Sequence, residues 1–155
     1  MKNRVIAAIC AGILLAMSGC TQQGGEPAET VGAEIALRIQ MDVEEDIGLL
    51  LIDYEAGASS GSGGTSHADK SPIECDELLF YTFGEQDFDS PEDVENLSLT
   101  FTVVTEYVDP NYENVYPEEY TKPAGEVALQ ARFGETYSIT ITGDKTGGYT
   151  AALAE

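Results

Sequence analysis

Apolar and polar residues alternate along several short segments of this chain, and this period of two constrains its fold more than any other feature. Every second residue from Ile35 to Met41 is apolar, and a longer alternation runs over residues 97–107. Successive side chains of a β-strand point to opposite faces of a sheet, so the spacing predicts strands with one buried face. Helical spacing, with apolar residues three or four positions apart, is not sustained over any long segment.

Five further segments have an apolar or alternating pattern that is typical of strands: residues 47–54, 78–83, 127–133, 137–141 and 149–153. About seven short strands predict an all-β fold, namely an antiparallel β-sandwich of immunoglobulin-like or related topology. The first two strands would pair as a hairpin. The strand order stays open, because a chain without tryptophan lacks the Cys/Trp/Cys signature of true immunoglobulin domains.

Residues 55–71 are rich in Gly and Ser and have no sustained apolar pattern, which predicts a long loop. We expect residues 57–66 to be mobile and dispensable for folding, because loop length changes the free energy of unfolding only slightly. Residues 57–61 also match the G-x-S-x-G nucleophile pattern. The glycines that follow would not start the helix that such a nucleophile needs, and a flexible loop is the preferred interpretation.

The first twenty residues have the pattern of an export signal. Lys2 and Arg4 precede an uncharged run, residues 5–17. As a helix this run would rise about 20 Å, too little to span a bilayer core of about 30 Å. The tail Met17-Ser18-Gly19-Cys20 resembles the lipobox of bacterial prolipoproteins, and the resemblance covers residues 2–20. It implies cleavage before Cys20 and acylation of its sulfur and new amino group, with palmitate or a similar chain.

The resemblance divides the chain into three parts: a lipoprotein signal peptide (1–19), a lipidated cysteine with a flexible tether (20–32) and a β-sandwich domain (33–155). It also implies a membrane-anchored, extracytoplasmic protein at the cell surface. Thr21 stands where an aspartate is associated with retention in the inner membrane. In an envelope with two membranes the expected location is therefore the outer membrane.

The chain is strongly acidic, with 28 Asp and Glu residues and a formal net charge of −21. Loss of Lys2 and Arg4 with the signal leaves five basic residues, so the mature charge is 5 − 28 = −23. Such a surface repels nucleic acid, which excludes it as a partner. Processing also leaves Cys75 as the one free thiol, without a disulfide partner. Its acidic neighbours disfavour a thiolate, so we expect it to pack as a small apolar residue.

A run of carboxylates offers oxygen ligands that suit calcium. Five of them fall within a short segment: Asp87, Asp89, Glu92, Asp93 and Glu95. The preferred interpretation is a capped single helical turn, with Ser90 as N-cap, Pro91 at the first position and acidic residues at the positive end of the dipole. Calcium is the one cofactor left open.

Four tyrosines are the candidate ligand-binding residues: Tyr107, Tyr112, Tyr116 and Tyr120. Aromatic faces at the edge of a sandwich can stack on sugar rings or cover a peptide. The alternative is that they hold a long loop against the core. His67, the only histidine, is interpreted as a solvated loop residue.

These features predict a non-catalytic, lipid-anchored extracytoplasmic protein whose sandwich domain mediates or supports surface interactions. Its partners would be the membrane, through Cys20, and a surface protein or glycan. The alternative is a calcium- or glycan-binding module, and a hydrolase is a more distant one. No residue is assigned a catalytic role.

Overall fold

Two four-stranded sheets packed face to face form the domain, which confirms the predicted all-β sandwich. The computed structural model describes residues 34–107, 109 and 113–154. The predicted signal peptide, Cys20 and the tether lie outside the described residues. Within them there are eight strands rather than seven, two short 3-10 turns and no α-helix. No described helix has the length and hydrophobicity needed to cross a membrane.

The first sheet has the order β4-β1-β7-β8. Its strands are β1 (Glu34–Val43), β4 (Leu78–Gly84), β7 (Thr136–Asp144) and β8 (Gly148–Leu153). Strand β1 runs antiparallel to β4 but parallel to β7. The predicted hairpin of the first two strands is therefore wrong, because β1 and β2 belong to different sheets. The sandwich is also not purely antiparallel.

The second sheet has the order β3-β2-β5-β6 and is antiparallel throughout. Its strands are β2 (Leu49–Ala56), β3 (Ser59–Thr65), β5 (Leu97–Val104) and β6 (Thr121–Leu129). A β-bulge interrupts the pairing of β5 with β6 between Phe101 and Thr102. Sequence reasoning began β6 too late, because Lys122, Pro123 and Gly125 obscure its first half.

The core lies between the sheets and follows the predicted alternation. On β1 the side chains of Ile35, Leu37 and Ile39 are fully buried, and those of Arg38 and Gln40 are exposed. Phe101 on β5 is also fully buried. The sequence expectation for Cys75 is confirmed as well: this free thiol is half-buried and packs against the core.

Strand β3 occupies the segment that the sequence analysis predicted as a mobile loop, and that prediction is wrong. Its inward-facing residues Gly61 and Gly63 pair with Tyr54 and Ile52 of β2. The ring of Tyr54 lies over Gly61, and the hydroxyl end of Tyr81, from the opposite sheet, lies over Gly63. These rings cover glycine backbone that has no side chain of its own. The apolar surface that buries β3 therefore comes from residues of other strands, and the sequence of β3 itself shows no apolar pattern.

Candidate functional site

A groove of about 460 Å³ lies on the outer face of the second sheet, between β3 and the segment that follows β5. The groove is lined by Leu49, Leu51, Ser62, Gly63, Gly64, Ser66, Tyr107, Asn114 and Tyr116. Its floor is apolar side chain and glycine backbone, and its walls carry hydroxyl and amide groups. This combination of an apolar surface with a few polar groups, at about this volume, is typical of ligand sites.

The wall that faces β3 is formed by residues between β5 and β6, and hydrogen bonds fix its shape. The amide of Thr105 donates to the carbonyl of Tyr120 at 2.8 Å and closes the base of the segment. Further along, the buried carboxylate of Asp109 accepts hydrogen bonds from the amides of Glu113 and Asn114, each at 3.0 Å. A side chain that holds the backbone in this way presents its neighbours in a defined position.

Tyr107 and Tyr116 meet at this wall. Their ring centroids are 6.0 Å apart, and the ring planes are inclined by 67°, an edge-to-face contact. The ammonium of Lys70 lies 5.0 Å from the centroid of the Tyr107 ring, within the range of a cation–π contact. Burial, followed by the proximity of Tyr107 and Asp109, raises the pKa of Tyr116. The Tyr116 phenol is therefore a neutral hydrogen-bonding group at physiological pH.

Gly48 lets the aromatic wall approach the sheet closely. A Cβ at this position would lie 2.8 Å from the carbonyl carbon of Glu106 and closer still to the backbone nitrogen of Tyr107. Both contacts are with backbone, which cannot rotate away as a long side chain can. Glycine at position 48 is therefore a condition for the observed position of Tyr107.

The structure brings together two of the four predicted tyrosines, Tyr107 and Tyr116. Tyr120 is not among the residues that line the groove, and the nearby charges of Glu106 and Glu119 raise its pKa. Tyr112 lies outside the described residues. Sequence reasoning missed the rest of the lining, because it depends on the pairing of a Gly/Ser-rich strand that had no recognisable strand pattern.

The five carboxylates of the calcium hypothesis do not converge in the structure. No three His, Cys, Asp or Glu side chains form a metal-binding group within the described ranges. Asp87 instead accepts a hydrogen bond from the amide of Gly84 at 2.7 Å. The backbone amide of Asp89 donates a hydrogen bond to the hydroxyl of Ser59 at 2.7 Å. Asp93 and Glu95 lie in the 3-10 turn Asp93–Asn96.

The turn itself agrees with the preferred interpretation of this segment in part. It is a 3-10 turn whose N-cap is Glu92, not a turn capped by Ser90. The Ser90 hydroxyl accepts only a long hydrogen bond, 3.4 Å, from the amide of Glu92. The acidic residues at its start still suit the positive end of the turn.

Calcium and magnesium at matched ionic strength are expected to raise the Tm equally. With a net charge far below zero, any divalent salt stabilises the fold by screening repulsion, and dispersed carboxylates give calcium no further advantage. The measurement is a Tm series in the two chlorides, with Asp87→Asn/Asp89→Asn as the control. A stabilisation specific to calcium that this variant abolishes would restore the calcium site.

His67 lies in the loop after β3, as predicted, with its side chain 35% exposed, and it is also held in a hydrogen-bond network. Its Nε2 lies 2.9 Å from Glu77 Oε1, and its Nδ1 lies 2.9 Å from the hydroxyl of Ser71. The Ser71 hydroxyl donates to Asp69 at 2.7 Å and therefore accepts from His67. Both ring nitrogens act as donors in the protonated imidazolium, the form that the raised pKa of His67 favours. The serine is not activated as a nucleophile in this arrangement.

The pair of His67 and Glu77 is expected to stabilise the protein most between about pH 4.5 and 6.5. The hydrogen bond that His67 donates to Glu77 raises the pKa of His67 above its ordinary value of 6.5, and the same bond lowers the pKa of Glu77 below 4.5. The stabilisation due to protonated His67 is complete below pH 6.5 and is lost as the pH rises through the raised pKa of His67. The stabilisation due to ionised Glu77 is present above pH 4.5 and is lost as the pH falls through the lowered pKa of Glu77.

The measurement is the Tm of the wild type and of His67→Gln as a function of pH. The difference in Tm should be largest near pH 5.5 and should shrink as the pH rises above the raised pKa of His67. In a Glu77→Gln background, the difference in Tm caused by His67→Gln should likewise be small. An equal difference at pH 5.5 and at pH 9 would contradict an ionic pair.

The G-x-S-x-G pattern lies in the turn between β2 and β3 and at the start of β3. Gly57 adopts a positive φ of 60° in the turn. Ser59, at the position of the nucleophile, is buried, and its hydroxyl accepts the hydrogen bond from the amide of Asp89. The strand-to-helix elbow of the motif is absent at this place, because a β-strand follows the serine.

No protein-family model matches the chain, and no curated protein matches it. Among solved structures, similarity is found to a Gram-negative toxin, with 10% identity and a TM-score of 0.36 over 79% of this chain and 23% of the other. A disulfide-locked mutant of intermedilysin with human CD59 is 10% identical, with a TM-score of 0.38 over 79% of this chain and 24% of the other. The membrane-binding domain of pneumolysin is 8% identical, with a TM-score of 0.35 over 80% of this chain and 96% of the other.

The chain thus spans about a quarter of the length of the first two toxins. Similarity at these TM-scores carries no argument about what this chain binds or does.

Proposed function

We propose that this chain is a non-catalytic, lipid-anchored protein that is held outside the cytoplasm and binds a partner through the groove beside Tyr107 and Tyr116. The export pattern and the lipobox-like tail at Cys20 support the anchor. The groove is the observation that supports binding. Two partly buried aromatic rings, an apolar floor and a few hydroxyl and amide groups provide contact area together with directional hydrogen bonds.

The charge of the domain limits the kind of partner that it can bind. The described residues carry many exposed carboxylates, and one of them, Glu77, forms an ion pair with His67. An acidic surface of this kind favours neutral or basic partners and repels nucleic acid and anionic lipid head groups. The bound partner is therefore a surface protein or a neutral glycan.

Cys20→Ala is expected to block lipidation, so that the precursor accumulates or the protein is shed into the medium. Two or three acyl chains give stable membrane attachment, whereas a protein without them lacks that hydrophobic anchor. The measurement is fractionation of cells that express the wild type or Cys20→Ala, with a mass determination of the N-terminal peptide. Normal processing and continued partition of the variant with membranes would contradict the lipoprotein assignment.

Capture of surface partners from intact cells tests the binding role of the groove. The protein is cross-linked at the cell surface, and the captured material is compared among the wild type, Tyr107→Ser/Tyr116→Ser and Tyr120→Ser. Tyr120 belongs to the same segment but not to the groove lining, which makes it the matched control. We expect the double variant to lose the captured partner and the control to retain it. Equal capture by all three proteins would contradict a role for the groove.

A neutral glycan is the second candidate ligand, and it is favoured by the two tyrosines that face one groove with Asn114, Ser62 and Ser66. Sugar hydroxyls would hydrogen-bond to the polar groups, and a sugar ring would stack on an aromatic face. A glycan array probed with the protein discriminates this candidate from a protein partner. Binding that Tyr107→Ser abolishes would establish the glycan, whereas an array without signal would favour the protein.

A further inference from the structure

Among the residues that the structure describes, strand β3 is an edge strand whose outer backbone groups have no partner strand. It pairs only with β2 and lies at one end of its sheet. Within the described part of the chain, no backbone hydrogen bond joins β3 to a segment on its other side. An edge of this kind exposes alternating N–H and C=O groups that can pair with an added strand.

The protective features common on edge strands are absent from β3 and present on β6. The opposite edge, β6, contains Lys122, Pro123 and a bulge, and it also lies against β8 of the other sheet. Lysine, proline and bulges are devices that prevent strand addition. Strand β3 reads Ser-Ser-Gly-Ser-Gly-Gly-Thr and has no charge, proline or bulge. Its edge is therefore open to pairing.

The groove beside β3 lies where a side chain of an added strand would point. Ser60, Ser62 and Gly64 face outward on β3, on the side of the sheet that bears the groove. A residue opposite Gly64 would direct its side chain past the glycine toward Leu51 and the ring of Tyr116. The groove volume of about 460 Å³ is ample for a large apolar or aromatic side chain. One position of an added strand thus has a pocket with an apolar floor.

Two and four residues away from the position opposite Gly64, an added strand would lie near carboxylates of β2. These carboxylates favour a basic side chain at each of the two positions. Ser62 and Ser60 pair with Asp53 and Glu55 of β2, whose side chains are exposed on the same outer face. An added strand would lie two strand spacings, about 10 Å, from β2. The small serines leave this path open, and the long flexible stems of Lys or Arg could extend across it.

Charge also distinguishes β3 from β4, the edge of the other sheet on the same side of the sandwich. The neighbour of β4 is β1, where Arg38 pairs with Phe80 and is exposed on the outer face. A basic strand added to β4 would place its side chains near this guanidinium and be repelled. At β3 the corresponding neighbours are carboxylates, so the second sheet is the favourable one for a basic peptide.

From the open edge, the pocket and the carboxylates, we propose that β3 binds an extended peptide segment of a partner protein as a fifth strand of the second sheet. The outward-facing residues of the segment are an apolar residue in the Tyr107/Tyr116 groove and basic residues opposite Ser62 and Ser60. Backbone hydrogen bonds supply affinity, and the alternate side chains supply specificity. This inference rests on the proposed binding function and names the chemistry of the partner.

The test begins with a library of random twelve-residue peptides displayed on phage and selected against the full chain as isolated from expressing cells. We expect enriched peptides without central proline, in which apolar and basic residues alternate with other residues. Synthetic copies are then measured by fluorescence anisotropy. Ser62→Lys, which adds an outward charge at the edge, should weaken binding at least tenfold. Thr150→Lys, which adds the same charge on exposed β8, should change it less than twofold.

A second readout distinguishes strand addition from other modes of peptide binding. N-methylation of alternate peptide amides removes donors on one side of a strand only. One methylation register should abolish binding, and the other should leave it nearly unchanged. Equal effects of both registers, or equal binding to the wild type and Ser62→Lys, would overturn the proposal. So would a selection that enriches no peptide, or a glycan that occupies the groove.

Failure of this inference is distinguishable from failure of the proposed function. If surface capture depends on Tyr107 and Tyr116 but no peptide binds at β3, the groove binds a partner by another mode and only strand addition is wrong. If peptides bind at β3 but cell-surface capture shows no dependence on the groove, the biological role is wrong although the edge is competent to pair.

Discussion

Replacing both Gly61 and Gly63 with valine is expected to lower the free energy of unfolding by about 4 kcal/mol or more, since overpacking costs about 1–3 kcal/mol at each site. A Cβ at Gly61 would lie 2.5 Å from the ring of Tyr54, and one at Gly63 would lie 3.0 Å from the ring carbon Cζ of Tyr81 and closer to its hydroxyl. Both rings pack against the core and would have to leave it. Chemical denaturation measures the change.

The matched control is Ser60→Val/Ser62→Val. These positions lie on the same strand but face outward and are exposed. Valine has the higher strand propensity, so the control should be neutral or slightly stabilising. A mobile loop would tolerate valine equally at all four positions. Equal stability of the two double variants would therefore contradict the packing of Tyr54 and Tyr81 over glycine backbone.

Gly48→Ala is expected to cost about 3 kcal/mol and to displace the aromatic wall of the groove. The added methyl would collide with backbone atoms of Glu106 and Tyr107, so the chain after β5 must move. This movement would separate Tyr107 from Leu49 and Leu51 on the groove floor. Stability and partner binding should therefore fall together, the first measured by denaturation and the second by surface capture.

Gly147→Ala is the matched control for this substitution. Its Cβ would meet only the carboxylate of Asp144, at 3.2 Å, in an exposed turn, and it should leave stability within about 0.5 kcal/mol of the wild type. A Gly48→Ala protein with unchanged stability and unchanged capture would show that the segment after β5 is not fixed against β2. In that case the groove would not be a preformed site.

The parts of the fold that could be predicted from the sequence are those in which each strand carries its own alternation. Strand β1 is of this kind, because Ile35, Leu37 and Ile39 are buried by its own pattern. The two-layer arrangement follows from several such strands. The pairing does not follow, because β1 lies between β4 and β7, which are distant in sequence. Contacts between distant strands leave no signal in a local pattern.

Strand β3 was missed for a different physical reason. Its own residues contribute almost no apolar surface, and the burial that holds it in place comes from Tyr54 and Tyr81. A Gly/Ser-rich segment with such partners has the composition of a flexible linker and the structure of a strand. The candidate site depended on this strand. The sequence could therefore suggest Tyr107 and Tyr116 but could not identify Leu51 and Gly64 as the groove surface opposite them.

Hydrogen exchange of the β3 amides, resolved by NMR, tests the central claim most directly. In a strand that is paired on one side only, every second amide from Ser59 to Thr65 donates to β2 and should exchange slowly, while the intervening amides should exchange rapidly. Addition of a bound peptide should then protect the intervening amides. Uniformly rapid exchange over residues 57–66 would contradict the strand, its free edge and the site that they form.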